Sequence, residues 1–278
     1  MYREFVTVLR REVLKFVRVP IWVAAAFVVP VLYLVLFGQA FDLNALFPTG
    51  GGGDYYVREA LLGAPDYFSY FAVGMIAFVT LSMSLYAGTG VLFDKQLGAH
   101  QRLMATPAPR SALFAGTLTF RAFSAAWPAF LSLGVAIALV HVPGLTGLSV
   151  SASVGIVGIA EILLAEALLA LMFTALFLSF GYALHSNEAY FGIVTLLNLP
   201  ILFTSNALFP QSTMPAWLQS VTAYNPASLA VNVMRQNLFG TSSYYPYPPG
   251  IYLLGLLGWA VVLIGIALVL SSRALRVS

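Results

Sequence analysis

The chain has 278 residues, of which 60% are apolar and only 8% charged. Soluble domains carry about 25% charged residues, so the composition excludes a single water-soluble core and points to a chain built for the bilayer. Without cysteine there is no disulfide framework and no thiolate metal site, and the formal net charge of +3 matters less than where the charges sit.

Residues 2–18 have helical spacing, with an apolar face at Tyr2, Phe5, Val6, Leu9, Val13, Phe16 and Val17. Arg3, Thr7, Arg10, Arg11, Lys15 and Arg18 occupy the other face. This pattern suits an amphipathic helix at the membrane interface, its cations near anionic lipid headgroups, or a simple basic topology anchor. Seven charged residues precede the first long apolar run, which is not the layout of a cleavable signal, so that run is expected to stay in the membrane.

A span needs about 20 mostly apolar residues to cross ~30 Å of hydrocarbon. Six segments qualify: 20–41, 67–93, 112–140, 152–184, 189–209 and 250–271. The basic residues near the span ends set the orientation. With both termini cytoplasmic, Arg3, Arg10, Arg11, Lys15, Arg18, Lys95, Arg102, Arg110, Arg273 and Arg276 are inside, and only Arg58 and Arg235 are outside. The expected fold is therefore an all-α integral membrane protein with six transmembrane helices and both termini in the cytoplasm. Residues 1–19 form its interfacial helix and 20–278 its transmembrane domain.

Between the second and third spans, "FDKQLGAHQRLMATPAPR" is too polar to enter the bilayer and too short to be a domain. Asp94 to Met104 has helix-forming composition, and Pro107 and Pro109 stop it. Such a segment either docks into a soluble partner or is a plain connecting loop.

The fourth span contains Glu161 and Glu166, and an acid inside a span defaults to a functional hypothesis. Five residues apart on a helix they point about 140° away from each other, so they do not form one site. Arg121, near the inner end of the third span, does not match their depth. Packing or assembly roles and transport chemistry both remain open for the two glutamates.

The stretch "LFPQSTMPAWLQSVTAYNPASLAVNVMR", Leu208 to Arg235, follows an apolar run yet is interrupted by Pro210, Pro215 and Pro226. Irregular chain at membrane depth is tolerated only inside protein or at the surface. The expected form is a pair of short helices, Ala216–Thr222 and Ala227–Leu238, folded back into the outer leaflet between spans five and six. Asn225 or Ser212 supplies a cap, and Trp217 and Tyr224 sit at the interface.

Catalytic motifs are missing. Lys15 is followed by Phe and Lys95 by Gln, so no phosphate-cradling G-x-x-x-x-G-K-[ST] loop exists. His100, His141 and His185 are scattered, with no H-E-x-x-H pair and no G-x-S-x-G elbow. The chain is not expected to be an enzyme, to bind a metal or cofactor of its own, or to bind nucleic acid.

Two segments resemble the ABC type-2 permease family, which includes daunorubicin-resistance-type and nodulation-type export permeases. In 198–240 the matching residues are Pro200, Phe203, Ser205, Asn206, Pro210, the Met214-Pro215-x-Trp217-Leu218 group, Asn225-Pro226 and Arg235. In the polar segment they are Asp94, Lys95, Gly98, Arg102, Leu103, Thr106, Pro107 and Arg110. Many relatives carry more charge there, with Glu where this chain has His100 or Gln101.

The resemblance implies the membrane subunit of an ATP-driven exporter in a prokaryotic plasma membrane. Two six-span halves, here a homodimer, would pair with two separate P-loop ATPase subunits that hold the ATP and Mg. Residues 94–110 would be the coupling segment, and the helix bearing Arg10, Arg11, Lys15 and Arg18 the connecting helix beside it. Phe78, Ser82 and Tyr86 on span two, and Asn198, Phe203, Ser205 and Asn206 on span five, would line the substrate path or the dimer contact, under an outer hairpin at 206–235. The substrate class implied is hydrophobic, lipid-like or glycan-type. The alternatives are an ion-coupled transporter or channel acting through Glu161 and Glu166, and a non-transporting assembly protein.

Overall fold

The computed structural model describes residues 2–18, 28, 31–36, 38, 58–104 and 110–277. The described residues form helices and connecting turns, with no strand among them. The helices used below are α1 (Tyr2–Val17), α2 (Tyr67–Ser84), α3 (Thr89–Gln96), α4 (Ala99–Met104), α5 (Arg110–Ala138), α6 (Ile156–Ala183), α7 (Asn187–Phe203), α8 (Ala216–Tyr224), α9 (Pro226–Phe239) and α10 (Pro249–Val277).

Among the described residues, four stretches are long and apolar enough to cross a membrane: Tyr67–Gln96, Ser111–His141, Ile156–Ala183 and Pro249–Ala274. These coincide with the expected spans at 67–93, 112–140, 152–184 and 250–271. The span expected at 20–41 lies mostly outside the described residues. Its described part is helical, with Leu34 in the main core cluster.

α2 is the centre of the bundle. It is apolar on every side, the pattern of a buried helix, and 15 of its 18 residues are buried. Its first turn is capped by Asp66, whose Oδ1 accepts from Ser69 N at 2.7 Å and whose Oδ2 accepts from the Ser69 hydroxyl at 3.1 Å. Around it pack α5, α6 and α9, and α10 lies along α6 and α9. The outer flanks of α6 and α10 leave Ile156, Val157, Leu254, Val261, Leu268 and Val269 exposed. Apolar faces of this extent on span-length helices are surfaces for lipid.

The fifth expected span differs from its observed form. α7 ends at Phe203, six residues short of the expected limit, and its 17 residues cover only about 25 Å at ~1.5 Å per residue. The reason is visible in the residues that follow. Thr204 leaves the helical region at φ −85°, ψ 4°, and Asn206 is then drawn into the protein, its backbone N–H donating to Ser228 Oγ at 3.1 Å and its side-chain amide to Asn232 Oδ1 at 2.7 Å.

The hairpin after α7 forms as two short helices, α8 and α9, in agreement with the pattern of prolines. Asn225 caps α9 by accepting from Ala227 N at 2.8 Å, and Pro226 takes the first helical position, where no N–H is needed. Ser212 caps nothing; it lies in a 3-10 turn at Gln211–Thr213, between Pro210 and Pro215. α8 keeps Trp217 and Tyr224 exposed, as an interfacial helix should. α9 is no surface element, since 13 of its 14 residues are buried.

Polar residues in this hairpin close the broken end of α7. Asn225 Nδ2 donates to Ile201 O at 2.7 Å and Thr204 Oγ1 at 2.9 Å, and Thr222 Oγ1 donates to Thr204 O at 2.8 Å. An uncharged but polar stretch is what a helix terminus inside a membrane protein requires. At α9's far end Gly240 adopts φ +64°, the left-handed conformation that terminates helices.

Candidate functional site

The polar segment between the second and third spans is two helices rather than one. α3 ends at Gln96, and Gly98 at φ +69° turns the chain before α4. The uninterrupted helix expected from Asp94 to Met104 fails because Gly98 adopts this left-handed conformation, which a glycine enters without strain.

At the root of the segment, Asp94 and Lys95 face two different helices. Asp94 is bound to α1: its Oδ2 accepts from Arg11 Nη2 at 2.8 Å, and both of its oxygens lie 2.8 Å from Lys15 Nζ. Lys95 Nζ reaches the end of α6, donating to the carbonyls of Gly181 at 3.1 Å, Tyr182 at 2.6 Å and Leu184 at 2.9 Å.

A third carboxylate completes the junction. Glu12, on α1, is 2% exposed. Its Oε2 accepts from Arg121 Nη2 at 3.0 Å, and its Oε1 lies 3.4 Å from Arg11 Nη1 and 3.6 Å from Lys15 Nζ. A carboxylate taken out of water is tolerated only when paired, and three cations surround this one. Gly90 makes the room, because a Cβ there would collide with the Arg121 guanidinium. Val8 against Gly116, and Phe16 edge-on to Phe120 at 5.8 Å, continue the contact of α1 with α5.

These contacts give α1 a second face besides the apolar one expected for the membrane interface. The buried line includes Val8 and Glu12, whereas Val6, Val13 and Val17 are exposed beside Arg3, Arg10 and Arg18. α1 therefore has two seams, one against α5 and one available to lipid. Of the cations expected to face headgroups, Arg11 and Lys15 instead hold Asp94.

Other anticipated residues fall elsewhere. Arg102 is exposed on α4. His100 lies on α4 and Arg110 opens α5, while Thr106 and Pro107 lie outside the described residues. Phe78 is half-buried with its ring 5.4 Å from that of Tyr33, Ser82 is half-buried, and Tyr86 is exposed. Asn198 is buried on α7, Phe203 is exposed at its end, and Ser205 and Asn206 are buried within the bundle.

The two span carboxylates diverge as their spacing requires. Glu161 accepts from Asn237 Nδ2 at 2.8 Å, on α9, while the fully buried Glu166 accepts from the Thr80 hydroxyl on α2. Arg121 approaches neither and is committed to Glu12.

Arg235, expected on the outer side, is entirely buried. Its Nη1 donates to Asn206 O and its Nη2 to the carbonyls of Tyr70 and Ala207, each at 2.9 Å. Met214 sits against the same hairpin, its sulfur 3.3 Å from the Thr222 hydroxyl oxygen.

Sequence reasoning missed Glu12, Thr80, Tyr70, Tyr190 and Asn232. Glu12 had a signal, being an acid set among Arg10, Arg11 and Lys15 on a basic helix. The others are polar residues in apolar runs whose partners lie far along the chain.

Comparison with known proteins agrees with this architecture. The family described as ABC-2 type transporter matches residues 3–239. The chain is 28% identical over 234 residues to the putative transport permease ycf38 of Porphyra purpurea, covering 84% of this chain and 73% of that protein. It is 26% identical over 235 residues to the protein of the same name from Cyanophora paradoxa, covering 84% and 73%. It is 24% identical over 239 residues to the daunorubicin resistance ABC transporter permease protein DrrB1 of Streptomyces coeruleorubidus, covering 86% and 76%. With span-length apolar helices and a family match over most of its length, the chain belongs to the ABC-2 type transporter family, as one of its membrane-embedded permeases.

Proposed function

We propose that this permease is the transmembrane subunit of an ATP-driven exporter. In this reading two copies of the chain, each with six spans and both termini cytoplasmic, sit in a prokaryotic plasma membrane with two copies of a separate P-loop ATPase that holds ATP and Mg. Residues 94–110 receive the movement of the ATPase, α1 lies beside them as the connecting helix, and a hydrophobic, lipid-like or glycan-type substrate moves outward between the two copies. A relative named for daunorubicin resistance agrees with a hydrophobic cargo.

The observation that carries the reading is the junction at Asp94 and Lys95. A short polar segment with no core of its own is tied by adjacent, oppositely charged residues to α1 and to a membrane helix. A passive loop has no need of such anchorage. The ion-coupled alternative runs through Glu161 and Glu166, and each is already engaged within the bundle, Glu161 with Asn237 on α9 and Glu166 with Thr80 on α2. A non-transporting assembly protein leaves the anchorage of the polar segment without a use.

Affinity purification from native membranes, with mass-spectrometric identification of what accompanies the chain, tests the proposal. A P-loop ATPase should co-purify with the natural chain and be lost from the Gly98→Pro, Arg102→Glu double variant. A chain that purifies alone and transports under an ion gradient would overturn it.

A further inference from the structure

The helix that begins at Tyr67 is broken before it reaches the polar segment. α2 ends at Ser84, a 3-10 turn spans Leu85–Ala87, and α3 resumes at Thr89. A change of helix type within a long helix marks a place where the axis can bend.

Beyond that break the chain is held to α6 by the apolar packing of Val91 with Ala175, Leu178 and Tyr182, and by two polar or backbone attachments on either side of it. The first is at Gly88, which packs backbone on backbone against Gly181: a Cβ on Gly181 would sit 2.6 Å from the Gly88 Cα. The Tyr190 hydroxyl ties the same point to α7, accepting from Gly88 N at 3.0 Å and donating to Leu85 O at 2.6 Å. Gly88 and Val91 lie within one turn of each other, so together they hold the start of α3 and leave its far end to be fixed by something else.

The second attachment is Lys95, seven residues and about 10 Å further along α3 at ~1.5 Å per residue. α6 has no basic residue in its last turn, and it ends at Leu184 in an extended conformation, φ −92°, ψ 159°, rather than in a left-handed glycine. The carbonyls at such an end need donors from elsewhere, and its dipole favours a cation. Lys95 supplies both, placing its single ammonium on the carbonyls of Gly181, Tyr182 and Leu184.

We propose that Lys95 is a positioning residue that makes α3 and the end of α6 move as one body. A displacement of the polar segment then reaches a membrane helix instead of being absorbed at the Leu85–Gly88 break. The proposal rests on the reading of 94–110 as the segment on which the ATPase acts.

The chain has no cysteine, so Leu97→Cys and His185→Cys, at two exposed positions, give one spin-labelled pair per copy, and mixing with an excess of unlabelled chain isolates the distance within one copy. Pulsed electron resonance on the full chain in nanodiscs, with its co-purified ATPase, should give one narrow distance that is the same without nucleotide and after vanadate trapping. Lys95→Met should broaden the distribution and make the distance shift on trapping, while Lys95→Arg restores the native profile. If Lys95→Met does not fold, Lys95→Gln, which keeps two donors but no charge, should give an intermediate width. A native distance that changes on trapping, or a neutral variant with the native profile, would overturn the proposal. If no ATPase co-purifies, the exporter reading fails, but the nucleotide-free comparison still decides whether Lys95 joins the two helices.

Discussion

Arg235 lies flat on Tyr70, its guanidinium carbon 3.4 Å from the ring centroid. The Tyr70 hydroxyl donates to Asn206 O at 2.8 Å, the same carbonyl that accepts from Arg235 Nη1. One side chain on α9 thus fixes the start of α2 and the chain leaving α7 at the same point. No ion pair with a carboxylate is found for it among the described residues, so carbonyl dipoles and an aromatic face balance the charge.

Removing this cation strips donors from three buried carbonyls. Arg235→Ala should cost about 3 kcal/mol or more, judged from the loss of charged buried hydrogen bonds. Arg235→Lys should recover little, because a point ammonium cannot reproduce the planar fork and the stacking. Thermal unfolding in detergent checks both variants. Equal melting temperatures for Arg235→Lys and the natural chain would show that the fork is unimportant.

The buried pair at the other end of the molecule makes a different prediction. Glu12→Gln leaves Arg121, Arg11 and Lys15 facing one another without the central carboxylate, and should destabilise the docking of α1 by about 2 kcal/mol. The natural exchange of charges should not rescue it: the Glu12→Arg, Arg121→Glu double variant places a third cation beside Arg11 and Lys15. Limited proteolysis reads the release of α1. Protection in the double variant equal to that of the natural chain would refute a three-cation environment for Glu12.

How far these relationships could be read from the sequence depends on their range. The uncharged runs at 67–93 and 250–271 announced their helices, because burial in lipid demands about 20 apolar residues and little else. Asn225 followed by Pro226 was legible as a helix start, since the cap and the proline act within one turn of each other. The end of α7 was not legible, because the polar step Thr204-Ser205-Asn206 is followed by the apolar Ala207, Leu208 and Phe209 and could belong to a longer span, and what draws the chain out of the helix is Ser228, Asn232 and Arg235, more than 20 residues away. The seam of α1 against α5 was hidden for the same reason. Periodicity marks which residues are apolar, but Glu12 turns inward only because Arg121 awaits it on α5. Asp94 and Lys95 stood out as a charged pair in both readings, yet only their geometry shows that they serve different helices.

A local prediction concerns Asp66, which caps α2 through Ser69. Asp66→Ala should lower stability by about 1 kcal/mol, and Asp66→Asn should restore most of it, as both side chains accept from an N-terminal N–H. The melting temperatures of the two variants decide the point. An alanine variant as stable as the asparagine one would mean that the packing of α2 alone sets its start.

The glycines offer a test in which two substitutions of the same kind should have opposite signs. Gly74 on α2 lets the chain leaving α7 approach closely: a Cβ there would overlap the Ala207 carbonyl oxygen, which is backbone and also accepts from Arg235. Neither side has a flexible end to give way, so Gly74→Ala should cost about 1–3 kcal/mol through overpacking and disturb the Arg235 bonds as well. Gly192, within α7, has nothing within 4 Å of a built Cβ. There an alanine removes the backbone freedom of glycine in a helix and should stabilise the protein by up to about 1 kcal/mol. Measured side by side in the same detergent, the two variants should move the melting temperature in opposite directions. A Gly74→Ala variant that melts no lower than the natural chain would show that α2 and the Asn206–Ala207 turn are not held in backbone contact, and the role given to Arg235 would fall with it.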